Sequence, residues 1–186
     1  MKLELKHLSP YLPYEIRCKM NGNGNIETLN GLSVSWAYFS FLNDNYEFYE
    51  FKPILRPLSD LTKEIEYNGE KFVPIVELLK IIQTDQKWNL TAKYNILDIK
   101  SDIGGLGGEY YSIRYSWEAA NDVRVVADLI YDTLFNRFTL RQKEPIEKCQ
   151  WLRYDVLEEK LLEWNFDKFK LIPAGLAISK NEIDNQ

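Results

Sequence analysis

Two stretches of the chain alternate large apolar residues with small or polar ones. Leu32, Val34, Trp36 and Tyr38 alternate with Ser33, Ser35 and Ala37; Tyr111, Ile113, Tyr115 and Trp117 alternate with Ser112, Arg114 and Ser116. A period of two places one set on one face of a strand, so both segments are predicted strands. Tyr14–Met20 is a third, followed by the turn sequence NGNGN over Asn21–Asn25 and a return strand over Ile26–Leu29. Asn and Gly both tolerate the positive φ that a tight hairpin turn needs. Tyr46–Leu58 is extended but carries Pro53 and Pro57, which cannot donate to a ladder and so point to an edge or bulged strand. Asn68-Gly69 marks another hairpin, and Tyr94–Ile99 another strand.

Elsewhere the period changes. Ser59 can cap a short helix through Ile65, and Pro74 suits the first turn of a helix carrying Val76, Leu79 and Ile82 on one side. Over Ala119–Phe138, the residues Val123, Val126, Ala127, Ile130 and Leu134 fall on one helical face. Pro145 can open a last helix with Tyr154, Leu157, Leu161 and Trp164 as its stripe, and Pro173 and Gly175 end regular helix beyond it. The pattern predicts an α+β fold. A mainly antiparallel sheet occupies the N-terminal half, and two longer amphipathic helices occupy the C-terminal half. One domain over 1–186 is expected, with subdomains 1–84 and 93–186 as the division that polar Gln83–Ala92 allows.

At 186 residues the chain is long enough to bury a sizeable core, and its 45% hydrophobic share fits an ordinary globular protein. Its net charge of -5 is poorly suited to phosphate neutralisation, which needs clustered Lys and Arg. The nearest basic group is Arg137, Arg141 and Lys143, placed by the helix pattern at a helix C-terminus, where cations suit the dipole. Cys18 and Cys149 lie far apart without CxxC spacing, which argues against a zinc site and a disulfide scaffold and for reduced thiols. His7 is the only histidine, so any Ser-His or Cys-His chemistry would have to use it; beside Pro10 and Pro13, a surface or capping role suits it better. The opening MKLELKHLSPYL has no uninterrupted apolar run of the secretory kind, and no segment approaches a membrane span. A cytoplasmic protein is expected.

SDIGGLGGEYY, Ser101–Tyr111, is the most conspicuous candidate for chemistry. A phosphate loop needs amides converging at a helix N-terminus, and a Walker loop follows its last glycine with Lys-Ser/Thr. Here Glu109 and two tyrosines follow Gly108, and a strand pattern comes next. A hairpin loop with Leu106 at its tip fits better, and that leucine is a candidate contact for a partner. Asp155, Glu159 and Glu163 share one helix face and could meet a cation or a basic partner, although a solvated face explains them as well. Arg56, between Leu55 and Pro57, could clamp a carboxylate or phosphate, or pair internally with Asp60. Trp36, Tyr38, Phe39, Phe41, Tyr46, Phe48, Tyr49 and Phe51 have no Lys or Arg among them, so core or a protein-binding patch suits them better than a nucleic-acid platform. Arg124 is placed to pair with Asp128 four residues on, if that segment is helical.

Three stretches also resemble a known family. They are the opening MKLELKHLSPYLPY, the middle FKPILRPLSDLTKEIEYNGEKFVPI (Phe51–Ile75) and the ending LLEWNFDKFKLIPAGLAIS (Leu161–Ser179). Together they are similar to an uncharacterised family of small proteins from prophages of gut Bacteroidetes; the segment from about Gln83 to Glu144 carries none of the resemblance. The resemblance implies a phage-derived product acting in a bacterial cytoplasm, with no family activity to carry over. Family members often have His where this chain has Asn165. The function expected is a non-catalytic protein-interaction or regulatory module without cofactor or metal, its partner an unknown host or phage protein. The alternatives are a carboxylate- and metal-dependent hydrolase using Asp98, Asp102 and Glu109, and a nucleic-acid accessory protein using Arg137, Arg141 and Lys143.

Overall fold

A computed structural model describes residues 2–29, 31–33, 38–40, 45–46, 51–85, 95–104, 107–118, 124–144, 148–151 and 155–184; of these, 31–33, 38–40, 45–46, 83–85, 143–144 and 148–151 are described in main chain only. The chain begins with a helical turn α1 (Leu5–Leu8), a 3-10 segment (Ser9–Tyr14), β1 (Arg17–Met20), β2 (Ile26–Thr28), β3 (Gly31–Ser33), β4 (Tyr38–Ser40), β5 (Asn45–Tyr46) and β6 (Phe51–Leu55). Next come a second 3-10 segment (Leu58–Thr62), β7 (Ile65–Tyr67), β8 (Glu70–Phe72), helix α2 (Pro74–Asp85), β9 (Asn95–Ile103), β10 (Glu109–Glu118), β11 (Arg124–Asp132), β12 (Arg137–Glu144) and β13 (Lys148–Trp151). Helix α3 (Asp155–Glu163), β14 (Ile178–Ser179) and α4 (Lys180–Asp184) follow. The elements fall into two compact units, one of residues 1–58 with 159–186, the other of residues 59–158.

The first unit joins the two ends of the chain. Its four-stranded sheet has the order β14-β6-β1-β2. The NGNGN turn joins β1 and β2 as its residue types require, with Cys18 opposite Glu27. β6 is not an edge strand: it lies between β1 and β14. Pro53 is tolerated there because parallel β14 is short and pairs only Ile54 and Leu55. The alternating stretch Leu32–Tyr38 is not one strand either. Its ends belong to β3 and β4, which pair antiparallel with Leu32 opposite Phe39 and Ser33 opposite Tyr38. The core gathers Leu3, Leu8, Tyr11, Ile16, Cys18, Met20, Leu29, Phe51, Leu55, Leu171 and Ala177. The opening and closing stretches of the chain therefore share one core. Burial pushes the Cys18 thiol pKa up, so the thiol stays protonated and inert.

Two Schellman closures shape the C-terminal stretch. After α3, Phe166 N–H donates to Leu161 O at 2.8 Å and Asn165 N–H to Leu162 O at 2.9 Å. Asn165 takes the left-handed φ of 58° that this motif needs. The same pair of bonds recurs as Leu176 N–H to Leu171 O and Gly175 N–H to Ile172 O, both 2.9 Å, with Gly175 left-handed. Between them Asp167, 3% exposed, accepts Leu171 N–H at 2.7 Å and Ile172 N–H at 2.8 Å, one on each carboxylate oxygen. Tyr11 ties the opening to this turn, its hydroxyl donating to Phe166 O at 2.7 Å and accepting from Lys168 N–H at 3.2 Å.

In the second unit Asn68 and Gly69, at φ 51° and 80°, make the two-residue turn between β7 and β8. Pro74 opens α2, whose buried positions are Ile75, Leu78, Leu79 and Ile82. They follow helical spacing, and α2 packs against β10. The main body is a five-stranded antiparallel sheet of order β13-β12-β11-β10-β9.

This sheet overturns the expected α+β division. The largest sheet lies in the C-terminal half, and the two longer helices expected there are absent among the described residues. Most of Ala119–Phe138 is not helix but β11, a four-residue turn and the start of β12. The helix expected after Pro145 is α3, only nine residues long, and β13 precedes it. Burial explains the misreading: β11 is buried at seven of its nine positions. A strand covered on both faces loses its period of two, and apolar residues interrupted only by Asp128 fit a helical stripe equally well. The turn signal sits in DTLFN, where Asp132 Oδ1 accepts Leu134 N–H at 2.8 Å and Phe135 N–H at 3.3 Å. The Asn136 side chain accepts the Tyr131 hydroxyl, and Asn136 takes φ 51°. No helix of the described residues is long and apolar enough to cross a membrane.

Candidate interaction surface

The glycine-rich run joins β9 to β10, as a hairpin loop must. Gly104 N–H donates to Gly108 O at 2.7 Å and Gly107 N–H to Gly104 O at 2.8 Å, so loop amides close on the loop's own carbonyls. Leu106 at its tip lies outside the described residues. The turn between β11 and β12 lies alongside. Thr133 N–H donates to Glu109 O, and Glu109 N–H donates to Thr133 Oγ1, both at 3.0 Å. Ile103 stands opposite Glu109 in the ladder. The sheet thus presents Ile103, Leu134 and Phe135 at one end, exposed by 74%, 43% and 53%. The Arg137 guanidinium lies over the Phe135 ring at 4.5 Å, a cation–π contact that leaves the ring half exposed.

The carboxylates proposed for hydrolysis have other tasks. Asp98 pairs with Lys100 at 2.7 Å. Asp102 accepts the Ile103 N–H at 2.8 Å, and Glu109 accepts the Tyr111 hydroxyl at 2.5 Å. Burial, then Glu109, pushes the Tyr111 pKa up. No group of three or more potential metal ligands occurs among the described residues.

The register across the sheet produces a feature that the linear sequence does not display. Asp98 of β9 stands opposite Arg114 of β10, Arg114 opposite Asp128 of β11, and Asp128 opposite Arg141 of β12. One row therefore alternates in charge across four strands. Its centre is a two-point contact: Arg114 Nε donates to Asp128 Oδ1 at 2.7 Å and Nη2 to Oδ2 at 3.2 Å. Asp128 thus takes its partner from a neighbouring strand, not from Arg124 on its own.

The basic group sits on β12 rather than at a helix end. Arg137 covers Phe135, and Arg141 occupies the charge row; the side chain of Lys143 lies outside the description. Of the acidic row on α3, Asp155 and Glu159 are exposed, and Glu163 pairs with Lys160 at 2.6 Å. A solvated face accounts for all three. Arg56 is 5% exposed, and its main chain bridges α3's exit: its N–H donates to Asn165 O at 2.7 Å, and its O accepts Asp167 N–H at 2.8 Å. Asp60 is held by Lys63 at 3.0 Å. His7 has a capping role: its Nδ1 accepts the Glu4 N–H at 3.1 Å, and the ring is buried beside Phe169. Of the aromatic group, Phe51 is core; Trp36, Phe41, Phe48 and Tyr49 lie outside the described residues, and Tyr38, Phe39 and Tyr46 are described in main chain only.

Sequence reasoning placed a partner contact in the glycine loop but missed Ile103, Leu134 and Phe135. The signal available was DTLFN, two large apolar residues between turn formers, which a helical reading absorbs into a stripe. Comparison with protein families, with curated proteins and with solved structures finds no match for this chain.

Proposed function

We propose that this chain is a non-catalytic protein-interaction module of prophage origin that binds a host or phage protein in the bacterial cytoplasm. The observation that carries the reading is the exposed apolar end of the five-stranded sheet: Ile103, Leu134 and Phe135. Full burial of one such side chain contributes about 1.5–3 kcal/mol, so even partial burial of three supplies a useful anchor for a partner. The hairpin turns that carry them are fixed by the paired Glu109–Thr133 bonds, which limits the ordering cost on binding. The structural engagement of Asp98, Asp102, Glu109 and Asp128 favours this reading over carboxylate chemistry.

The test is capture from lysate of a gut Bacteroidetes host, with and without phage induction, by the tagged chain and by its Leu134→Asp/Phe135→Asp variant. The reading requires a partner recovered by the first and lost by the second. Equal recovery by both, or no specific recovery, counts against it.

A further inference from the structure

We propose that β9 pairs antiparallel with β9 of a second copy of this chain, about a two-fold axis at Ile99, extending the five-stranded sheet across a dimer. This goes beyond the partner-binding reading and rests on a different observation, the charge row. β9 is the last strand of its sheet, and none of its nine residues is buried. Among the described residues no strand pairs with the outer side of β9, which is long enough to take a further strand there.

The sequence of β9 determines which strand fits. Around Ile99 the charges are Asp98 and Lys100, opposite in sign and equidistant from the centre. An antiparallel copy centred on Ile99 therefore sets Asp98 against Lys100 of the second copy, and Lys100 against its Asp98. The same register sets Leu97 against Ser101, Ile96 against Asp102 and Asn95 against Ile103, with no like charges opposed. Centring on Lys100 instead would oppose lysine to lysine and Asp98 to Asp102, which is destabilising. Within one copy the row reads Arg141, Asp128, Arg114, Asp98. Asp98 already meets Lys100 of its own strand at 2.7 Å; Lys100 of the second copy continues the alternation from strand to strand, and the two-fold axis applies it twice.

β9 also carries devices that discourage edge pairing. Its ladder with β10 is bulged at Leu97, where the register skips from Asp98 to Ile96, and its charges are exposed. The experiment decides between these tendencies. The mass of the full chain is measured by sedimentation equilibrium over a concentration series, for wild type, Lys100→Glu, Asp98→Lys and an equimolar mixture of the two variants. The wild type should approach twice the chain mass. Each variant alone should weaken the dimer by about tenfold or more, because two attractive cross-strand pairs become repulsive. In the mixture each substituted side chain meets an opposite charge, so a mixed dimer should recover wild-type affinity. A wild type that stays monomeric at roughly hundreds of micromolar, or a dimer indifferent to Lys100→Glu, overturns the proposal. Lys100→Glu removes the Asp98–Lys100 pair within a copy but leaves Asp98, Arg114 and Asp128 themselves in place, and so serves even if Asp98→Lys folds poorly. Partner capture by Lys100→Glu, which leaves Leu134 and Phe135 intact, reports separately on the apolar end.

Discussion

Replacing Arg114 by alanine removes two hydrogen bonds from a carboxylate that barely reaches water. The Asp128 side chain is 8% exposed and the Arg114 side chain 38%. A charge-assisted hydrogen bond contributes about 1.5–3 kcal/mol, but an arginine this exposed is screened by solvent, so the two together are worth less than their sum. Leaving the Asp128 carboxylate buried adds a desolvation cost, limited by Arg141 at the register position on its other side. The net loss expected for Arg114→Ala is about 2–3 kcal/mol. Asp128→Ala breaks the same two bonds but leaves a guanidinium that can turn to water, and should cost only about 1–2 kcal/mol. The double variant should reveal a coupling of about 1–2 kcal/mol. Urea unfolding followed by far-UV circular dichroism gives all four stabilities. An Asp128→Ala loss as large as that of Arg114→Ala, or a coupling below about 0.5 kcal/mol, would refute the reasoning that burial of the aspartate sets the asymmetry.

Two further predictions concern the unit built from the chain's ends. Asp167→Asn keeps one acceptor for two N–H donors and should destabilise by about 1–3 kcal/mol, read from denaturant unfolding. Burial holds the Asp167 pKa above the usual carboxylate value, so the native state keeps this proton to higher pH than the unfolded state. The group's contribution to stability therefore falls as pH rises from its unfolded value, about 3.9, through its raised folded value, a slope that Asp167→Asn lacks in a pH series of melting curves. Cys18, buried and protonated, should resist alkylation in the native protein and label readily in urea, as peptide mapping would show; native labelling at the urea rate would contradict its placement.

What could be read from the sequence was local. Asn68-Gly69 and NGNGN specify their turns through φ preferences that belong to those residues alone, and Pro74 marks the start of α2 through its own missing N–H. What failed depends on neighbours distant in sequence. β11 is covered on both faces only after the sheet has assembled, and its apolar run contains no record of that. Arg114 and Asp128 lie 14 residues apart, and only the β10–β11 register makes them partners. Asn165 stands between these cases. Its type suits a left-handed helix exit, but only the bonds that close the turn around it show that its backbone shape is what the fold uses. The apolar end was missed for the reason β11 was: a helix assignment placed Leu134 in a stripe, where a turn exposes it.

The claim on which the account depends most is that the exposed end of the five-stranded sheet is a binding surface. It is tested most directly by quantitative mass spectrometry of material captured from induced host lysate by the wild type and by Leu134→Asp/Phe135→Asp, after both chains are shown to melt alike. The account predicts at least one protein enriched by the wild type and reduced to background with the variant. Identical captured sets from the two chains would contradict it.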